Sequence, residues 1–102
     1  MASSKVVWSN TAIKQRRAIF EYWNKNNGST KYSNRIRLLV NKRIDLIKSQ
    51  PHLFLKTDLQ DTHVTVIENF KLFYRIYPDL IMVTAFWDSR QDPEKLLELL
   101  GK

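Results

Sequence analysis

The chain has 102 residues, of which 43% are hydrophobic and 12% aromatic, and it contains no cysteine. This length supports one modest core, so we expect a single domain over residues 1–102, without a disulfide framework, a thiolate nucleophile or a cysteine metal site. Seventeen Lys and Arg oppose ten Asp and Glu, and the net charge of +7 favours anionic partners such as nucleic acid or an acidic protein segment.

The first half of the chain predicts a strand and an amphipathic helix. Lys5–Trp8 is typical of a short strand, and the polar residues after it are N-cap candidates for a helix over about residues 11–25. At 100° per residue the helix collects its apolar residues on one face. They are Ala12, Ile19, Phe20 and Trp23, with Lys14, Gln15, Arg17 and Glu21 pointing elsewhere.

A second helix is predicted over about residues 30–49, after a break at Asn26–Ser29. The two helices should form a hairpin. The apolar face of the second helix carries Tyr32, Ile36, Leu39, Val40, Leu46 and Ile47, and its other face carries Arg35, Arg37, Lys42 and Lys48. A basic helix face is usually solvated, and nucleic-acid contact is the alternative.

The second half predicts an antiparallel meander. Pro51 ends the second helix, and Leu53–Lys56 is expected as a short edge strand or an extended loop. From His63 the residues alternate up to a tight turn at Glu68-Asn69, and a second alternating strand follows. Its Phe70, Leu72, Tyr74 and Ile76 share one side, and Lys71, Phe73, Arg75 and Tyr77 share the other.

The last predicted strand, Leu80–Trp87, is apolar at nearly every position, which is typical of a strand inside a sheet and buried on both faces. Asp92 as N-cap and Pro93 at the first helical position then predict a short C-terminal helix rich in leucine. The expected fold is therefore α+β, with an N-terminal strand, a two-helix hairpin packed on an antiparallel β-meander, and a short C-terminal helix.

Arg90 falls in the loop after the last strand, where rigid neighbours hold a side chain in place. It either acts on a ligand or pairs with Asp88 or Asp92 and fastens the loop. If the helices cover one face of the meander, the opposite face is expected to form a basic hollow on which Lys71, Arg75 and Arg90 converge.

This order of elements resembles the RelE/ParE superfamily of bacterial toxins. The likeness covers about residues 5 to 100 and is carried by Trp8–Ala12, Asn69–Arg75 and Phe86–Pro93. It implies the toxin of a type II toxin-antitoxin system, encoded beside an antitoxin protein whose acidic segment wraps and neutralises it.

RelE-like members of the superfamily cut mRNA in the ribosomal A site, and this resemblance implies a metal-independent endoribonuclease. Arg75 and Arg90 match the two arginines that such nucleases use to hold the phosphate, and Asp88 is a candidate base. An Asp beside Arg should have a lowered pKa, which makes it a poor base. Lys56, Lys71 and His63 are the expected RNA-binding residues, with proton transfer as a further role for His63.

ParE-like members instead poison DNA gyrase without known nuclease chemistry. The segment Arg90–Pro93 followed by leucines is nearer to this type, and Leu96 stands where the RelE pattern has a Tyr. A third possibility is a non-toxic basic module in which Phe73, Tyr77 and Trp87 stack nucleic-acid bases.

The sequence contains no glycine-rich phosphate loop and no metal-ligand spacing, so we expect no cofactor and no metal. No apolar run approaches the roughly 20 residues of a membrane helix, and the N-terminus has no signal-peptide core. We therefore expect a cytoplasmic protein without membrane contact.

Overall fold

Two helices pack on a five-stranded mixed sheet in the structure, a computed structural model that describes residues 5–90. The α+β fold predicted from the sequence is confirmed over this range. The elements in chain order are β1 (Lys5–Trp8), α1 (Asn10–Asn27), α2 (Lys31–Ser49), β2 (Leu55–Lys56), β3 (Thr62–Ile67), β4 (Phe70–Ile76) and β5 (Leu80–Asp88). The predicted C-terminal helix, with Asp92 and Pro93, lies outside the described residues.

Local sequence signals account for the ends of both helices. The Ser9 hydroxyl accepts a hydrogen bond from the Ala12 N–H at 3.1 Å and caps α1. Gly28 follows α1 with φ 65°, in the left-handed region that a glycine enters without steric cost. α2 ends at Ser49, two residues before Pro51, because proline cannot continue a helix.

The strands are ordered β1-β5-β4-β3-β2 in the sheet. The pairs β2–β3, β3–β4 and β4–β5 are antiparallel, and β1 runs parallel to β5. The predicted meander and the interior position of the apolar strand are confirmed. β1 pairs with β5 only as far as Trp8 and Val83, so the second half of β5 has no strand on that side within residues 5–90.

A β-bulge lies in the middle of β5. Phe73 pairs with Ala85 and Tyr74 pairs with Val83, so that Thr84 is left without a register partner. One extra residue reverses the alternation of side chains between the two faces of a strand. Val83 and Phe86 consequently face the helices, and Ala85 faces away from them.

The main core lies between the helices and the sheet. Its fully buried members include Ala12, Ile36, Phe70, Tyr74 and Phe86. A second, smaller cluster on the other face of the sheet contains Phe73, Ala85 and Trp87, with Val64 packed against it. Neither helix among residues 5–90 combines the length and the hydrophobicity that a membrane span requires.

Candidate functional site

A network of polar and aromatic side chains fixes the chain where β5 ends. The buried Asp88 carboxylate accepts hydrogen bonds from Trp23 Nε1 at 3.0 Å, Arg90 Nε at 2.7 Å and Arg90 Nη2 at 3.0 Å. Arg90 Nη2 also donates to the Tyr32 hydroxyl at 3.2 Å, and its guanidinium stacks 4.1 Å from the centre of the Trp23 ring. The loop after β5 is thereby attached to both helices, through Trp23 of α1 and Tyr32 of α2.

The charges of this network stabilise each other. Burial alone would raise the pKa of the Asp88 carboxyl, but the hydrogen bonds from Arg90 and Trp23 outweigh it and hold that pKa below its ordinary value. The hydrogen bond with Asp88 raises the pKa of Arg90. Asp88 is thus ionised and fully engaged at neutral pH, and it is a weak proton acceptor, as the sequence predicted for an Asp beside Arg.

Beside this network, a groove of about 500 Å³ runs between α1 and the end of β5. Ala18, Ile19 and Tyr22 line it from α1, and Phe86 and Arg90 line it from β5 and the following loop. Tyr22 is 58% exposed, which is high for an aromatic side chain beside a core. Apolar walls with a few polar groups at the mouth are typical of a binding site.

The wall of the groove includes a sheet edge on which the structure places no strand among residues 5–90. Past Val83, the Phe86 N–H donates to Gln15 Oε1 at 2.9 Å, and the Thr84 carbonyl accepts from the Ser9 hydroxyl at 3.3 Å. Gln15 Nε2 is buried with no hydrogen-bond partner in the described part of the chain. Side chains of α1 and of its N-cap thus satisfy backbone groups that a sixth strand would otherwise pair.

The predicted convergence of Lys71, Arg75 and Arg90 was wrong. Lys71 and Arg75 alternate with residues of the main core and so lie on the face away from the helices, whereas Arg90 stacks on Trp23 on the helix side. Arg90 also contacts Phe70, and Arg75 lies five positions from Phe70 on β4, which corresponds to about 17 Å along a strand. The bulge at Thr84 is the physical reason, because it moves Asp88 and the loop after it to the helix side.

On the face of the sheet away from the helices, Arg75 is partly exposed and Lys71 is exposed. The Arg75 guanidinium lies 5.5 Å from the centre of the Tyr77 ring, and its Nε is buried without a hydrogen-bond partner among residues 5–90. Phe73 and Trp87 are 7% and 6% exposed, so they are not available to stack bases, contrary to the expectation for a nucleic-acid-binding module. Tyr77 remains accessible.

His63 is buried, whereas the sequence allowed an exposed position at the start of its strand. Its ring stacks on Tyr74 at 5.3 Å between centroids, and the edge of His52 meets it at 5.8 Å. Burial, and then the charges of His52 and Lys56, lower the pKa of His63. Lys56 pairs with His63 across β2 and β3 and is exposed. RNA contact by these residues and by Lys71, and catalysis by Arg75, stay predictions.

Sequence reasoning missed the roles of Gln15, Tyr22 and Tyr32. Gln15 was expected to point away from the core, but it covers the β5 edge. Tyr22 gives no periodic signal because it lies at the margin of the apolar face of α1. Tyr32 was predicted as a core residue, and only the position of Arg90 shows that its hydroxyl accepts a hydrogen bond.

Comparisons with known proteins agree on one kind of fold. Residues 6–93 match the family described as the ParE toxin of type II toxin-antitoxin system, parDE. A solved structure described as the chromosomal ParDE TA system from P. aeruginosa superimposes with a TM-score of 0.72, covering 84% of this chain and 96% of that chain, at 10% sequence identity. No curated protein sequence matches the chain significantly.

Proposed function

The chain belongs to the ParE toxin family of type II toxin-antitoxin systems, and on this basis we propose that it is a toxin that poisons DNA gyrase rather than a ribosome-dependent mRNA endonuclease. Family membership implies a cognate antitoxin as its partner. The observation that carries the choice of target is the separation of Arg75 from Arg90 on opposite faces of the sheet.

RNA cleavage by the 2′-hydroxyl needs cations around one phosphate, a proton acceptor and a proton donor. Arg90 cannot offer a bidentate fork to a phosphate while its Nε and Nη2 donate to Asp88. The lowered pKa of Asp88 argues against its use as a base at neutral pH. These features favour a toxin that acts by binding its target.

The test pairs two assays on the same purified toxin. In the first, gyrase and relaxed plasmid are incubated with the toxin, and we expect loss of supercoiling together with linear plasmid after protein denaturation. In the second, a cell-free translation reaction is analysed by primer extension, and we expect mRNA without codon-positioned cuts. Normal supercoiling combined with ribosome-dependent cuts would overturn the proposal and favour the nuclease.

Variants separate the two mechanisms further. Arg75→Ala should leave gyrase inhibition within about twofold of wild type, because the gyrase proposal assigns Arg75 no role in binding a phosphate. Lys42→Ala, an exposed substitution on α2 with the same charge change, is the matched control. Loss of mRNA cleavage in Arg75→Ala alone would identify a nuclease.

The α1–β5 groove is the surface best suited to the antitoxin. It offers an apolar trough beside the end of β5, so a partner segment gains apolar burial there, and such a segment pairs with the β5 edge only if it displaces the Gln15 and Ser9 side chains from Phe86 and Thr84. Ala18 is an exposed member of its wall, and Ala18→Glu fills the groove without disturbing the core.

Isothermal titration calorimetry with the antitoxin encoded by the neighbouring gene tests whether the antitoxin binds in the α1–β5 groove. We expect Ala18→Glu to weaken binding at least tenfold, while Leu38→Glu, at an exposed apolar position on α2 outside the groove, stays near wild type. Equal affinities for the two variants would place the antitoxin elsewhere and leave the gyrase proposal intact.

A further inference from the structure

Three arginines come together between the two helices, away from the α1–β5 groove. Arg16 and Arg17 of α1 and Arg37 of α2 line a pocket of about 250 Å³ whose floor includes Phe20. The pocket is several times larger than the roughly 30 Å³ that one water occupies in the liquid, so it is open to a solvated anionic group. One carboxylate, Glu21, also lines it.

Two of the three arginines, Arg16 and Arg37, stack on aromatic rings. The Arg16 guanidinium lies 4.4 Å from the centre of the Trp8 ring, and that of Arg37 lies 4.8 Å from the centre of the Phe20 ring. Cation–π stacking orients a guanidinium but leaves its charge in place and its N–H groups at the ring edge free to donate. The side chains are therefore ordered before any ligand arrives, which lowers the entropic cost of binding one.

The positive charge of the pocket is poorly neutralised. Among residues 5–90, ion pairs join Arg35 to Glu68 and Arg90 to Asp88, and none of them includes an arginine of this pocket. Burial, and then the charges of Arg37 and Arg17, lower the pKa of Arg16, which is the expected effect of several cations in close proximity.

The charge continues along the outer side of α1. Lys14 and Lys25 are exposed and lie eleven positions apart, which corresponds to about 16 Å along the helix. Duplex DNA carries one negative charge per about 1.7 Å of its axis, so a row of this length faces several phosphates at once. Two exposed lysines with the guanidinium cluster between them place cations at several points along α1, and this arrangement fits a regular polyanion.

We infer that the pocket formed by Arg16, Arg17 and Arg37 binds the phosphate backbone of duplex DNA, independently of sequence and of the antitoxin groove. The inference does not depend on the choice of gyrase as the target. It gives the toxin its own contact with DNA, through bidentate guanidinium–phosphate hydrogen bonds that a lysine cannot reproduce.

Fluorescence anisotropy with a labelled 20-base-pair duplex, at several salt concentrations, tests the inference. Arg37→Gln should weaken binding roughly tenfold in dilute salt and reduce the slope of log Kd against log salt by about one. Lys42→Gln, an exposed substitution on the same helix with the same charge change, should stay within about twofold of wild type. Thermal melting of each variant checks its fold.

Glu21→Gln provides a test in the opposite direction. It removes the carboxylate that lines the pocket at an exposed position, so it should tighten DNA binding several-fold without any risk to the core. If Arg37→Gln and Lys42→Gln weaken DNA binding equally, or if Glu21→Gln does not tighten it, the net charge of the protein alone explains the binding. Either result would overturn the inference that the pocket is a DNA-binding site. A poly-glutamate chain that competes as well per charge as DNA would assign the pocket to an acidic polypeptide instead.

Discussion

Replacing Asp88 by Asn should destabilise the protein by about 2 kcal/mol at neutral pH, since it turns one of the two acceptor oxygens at the β5 end into an NH2 donor. Either the Trp23 N–H or the Arg90 Nε–H then faces a donor and is left unpaired in a partly buried position, and an unsatisfied donor of this kind costs about 1–3 kcal/mol. The ion pair itself adds little to this figure, because the Arg90 side chain is 39% exposed and water replaces part of the attraction.

For a domain of this length, a loss of about 2 kcal/mol corresponds to a fall in Tm of about 10 °C, measurable by circular dichroism. Asp79→Asn is the matched control, because it removes the same charge from the exposed turn between β4 and β5. We expect its Tm to stay within about 2 °C of wild type.

The pH dependence gives the sharper check. Because the folded pKa of Asp88 lies below its ordinary value of 3.8, its contribution to stability is complete above that value and is lost as the pH falls through the folded pKa. The difference in Tm between wild type and Asp88→Asn should therefore be constant from pH 7 to 5 and shrink below pH 4. A difference that is absent at pH 7, or that persists unchanged in acid, would refute the role assigned to the carboxylate.

Three further predictions concern the core and a helix end. The pKa of His63 in the folded protein is lowered from 6.5, so as the pH falls the unfolded chain takes up a proton at this histidine before the folded chain does. Stability should therefore fall as the pH drops below about 6.5, and thermal melts of His63→Phe should lack this part of the pH dependence. Tyr74→Phe loses the hydrogen bond to the Pro51 carbonyl at 2.7 Å and should lower the free energy of unfolding by about 1 kcal/mol in denaturant titrations. In the wild type, burial raises the pKa of Tyr74 to about 12, so this tyrosine should not ionise below pH 11 in an ultraviolet titration. Gly28→Ala meets no atom within 4 Å but must adopt φ 65°, so it should cost about 1 kcal/mol, and an unchanged Tm would contradict the strain.

Local signals in the sequence were sufficient for the secondary structure of residues 5–90. The cap at Ser9, the break at Gly28 and Pro51 after α2 place the helix ends within a few residues of those observed. Alternation in β4 correctly separated Tyr74 on the core face from Phe73 on the other face. Period-two alternation carries this information because each side chain can reach only one face.

The same rule could not be applied to β5. Its residues are apolar on both faces, so no alternation shows which of them meet the helices, and no residue type marks the bulge at Thr84. The sequence also places Arg90 two residues from Asp88 but cannot show that Trp23 and Tyr32 complete the network, because these contacts join positions 58 or more residues apart.

The sequence by itself determined the elements, the cationic surface and the family resemblance, since these follow from local spacing, composition and the order of the elements along the chain. Only the tertiary structure decided on which side of the sheet Arg90 lies. One bulged residue reverses the sides of the residues from Ala85 to Asp88, and it moves Arg90 from the predicted phosphate clamp to a structural pair with Asp88. Because β5 is apolar on both faces, packing against α1 and α2 selects this arrangement and no local sequence pattern records it.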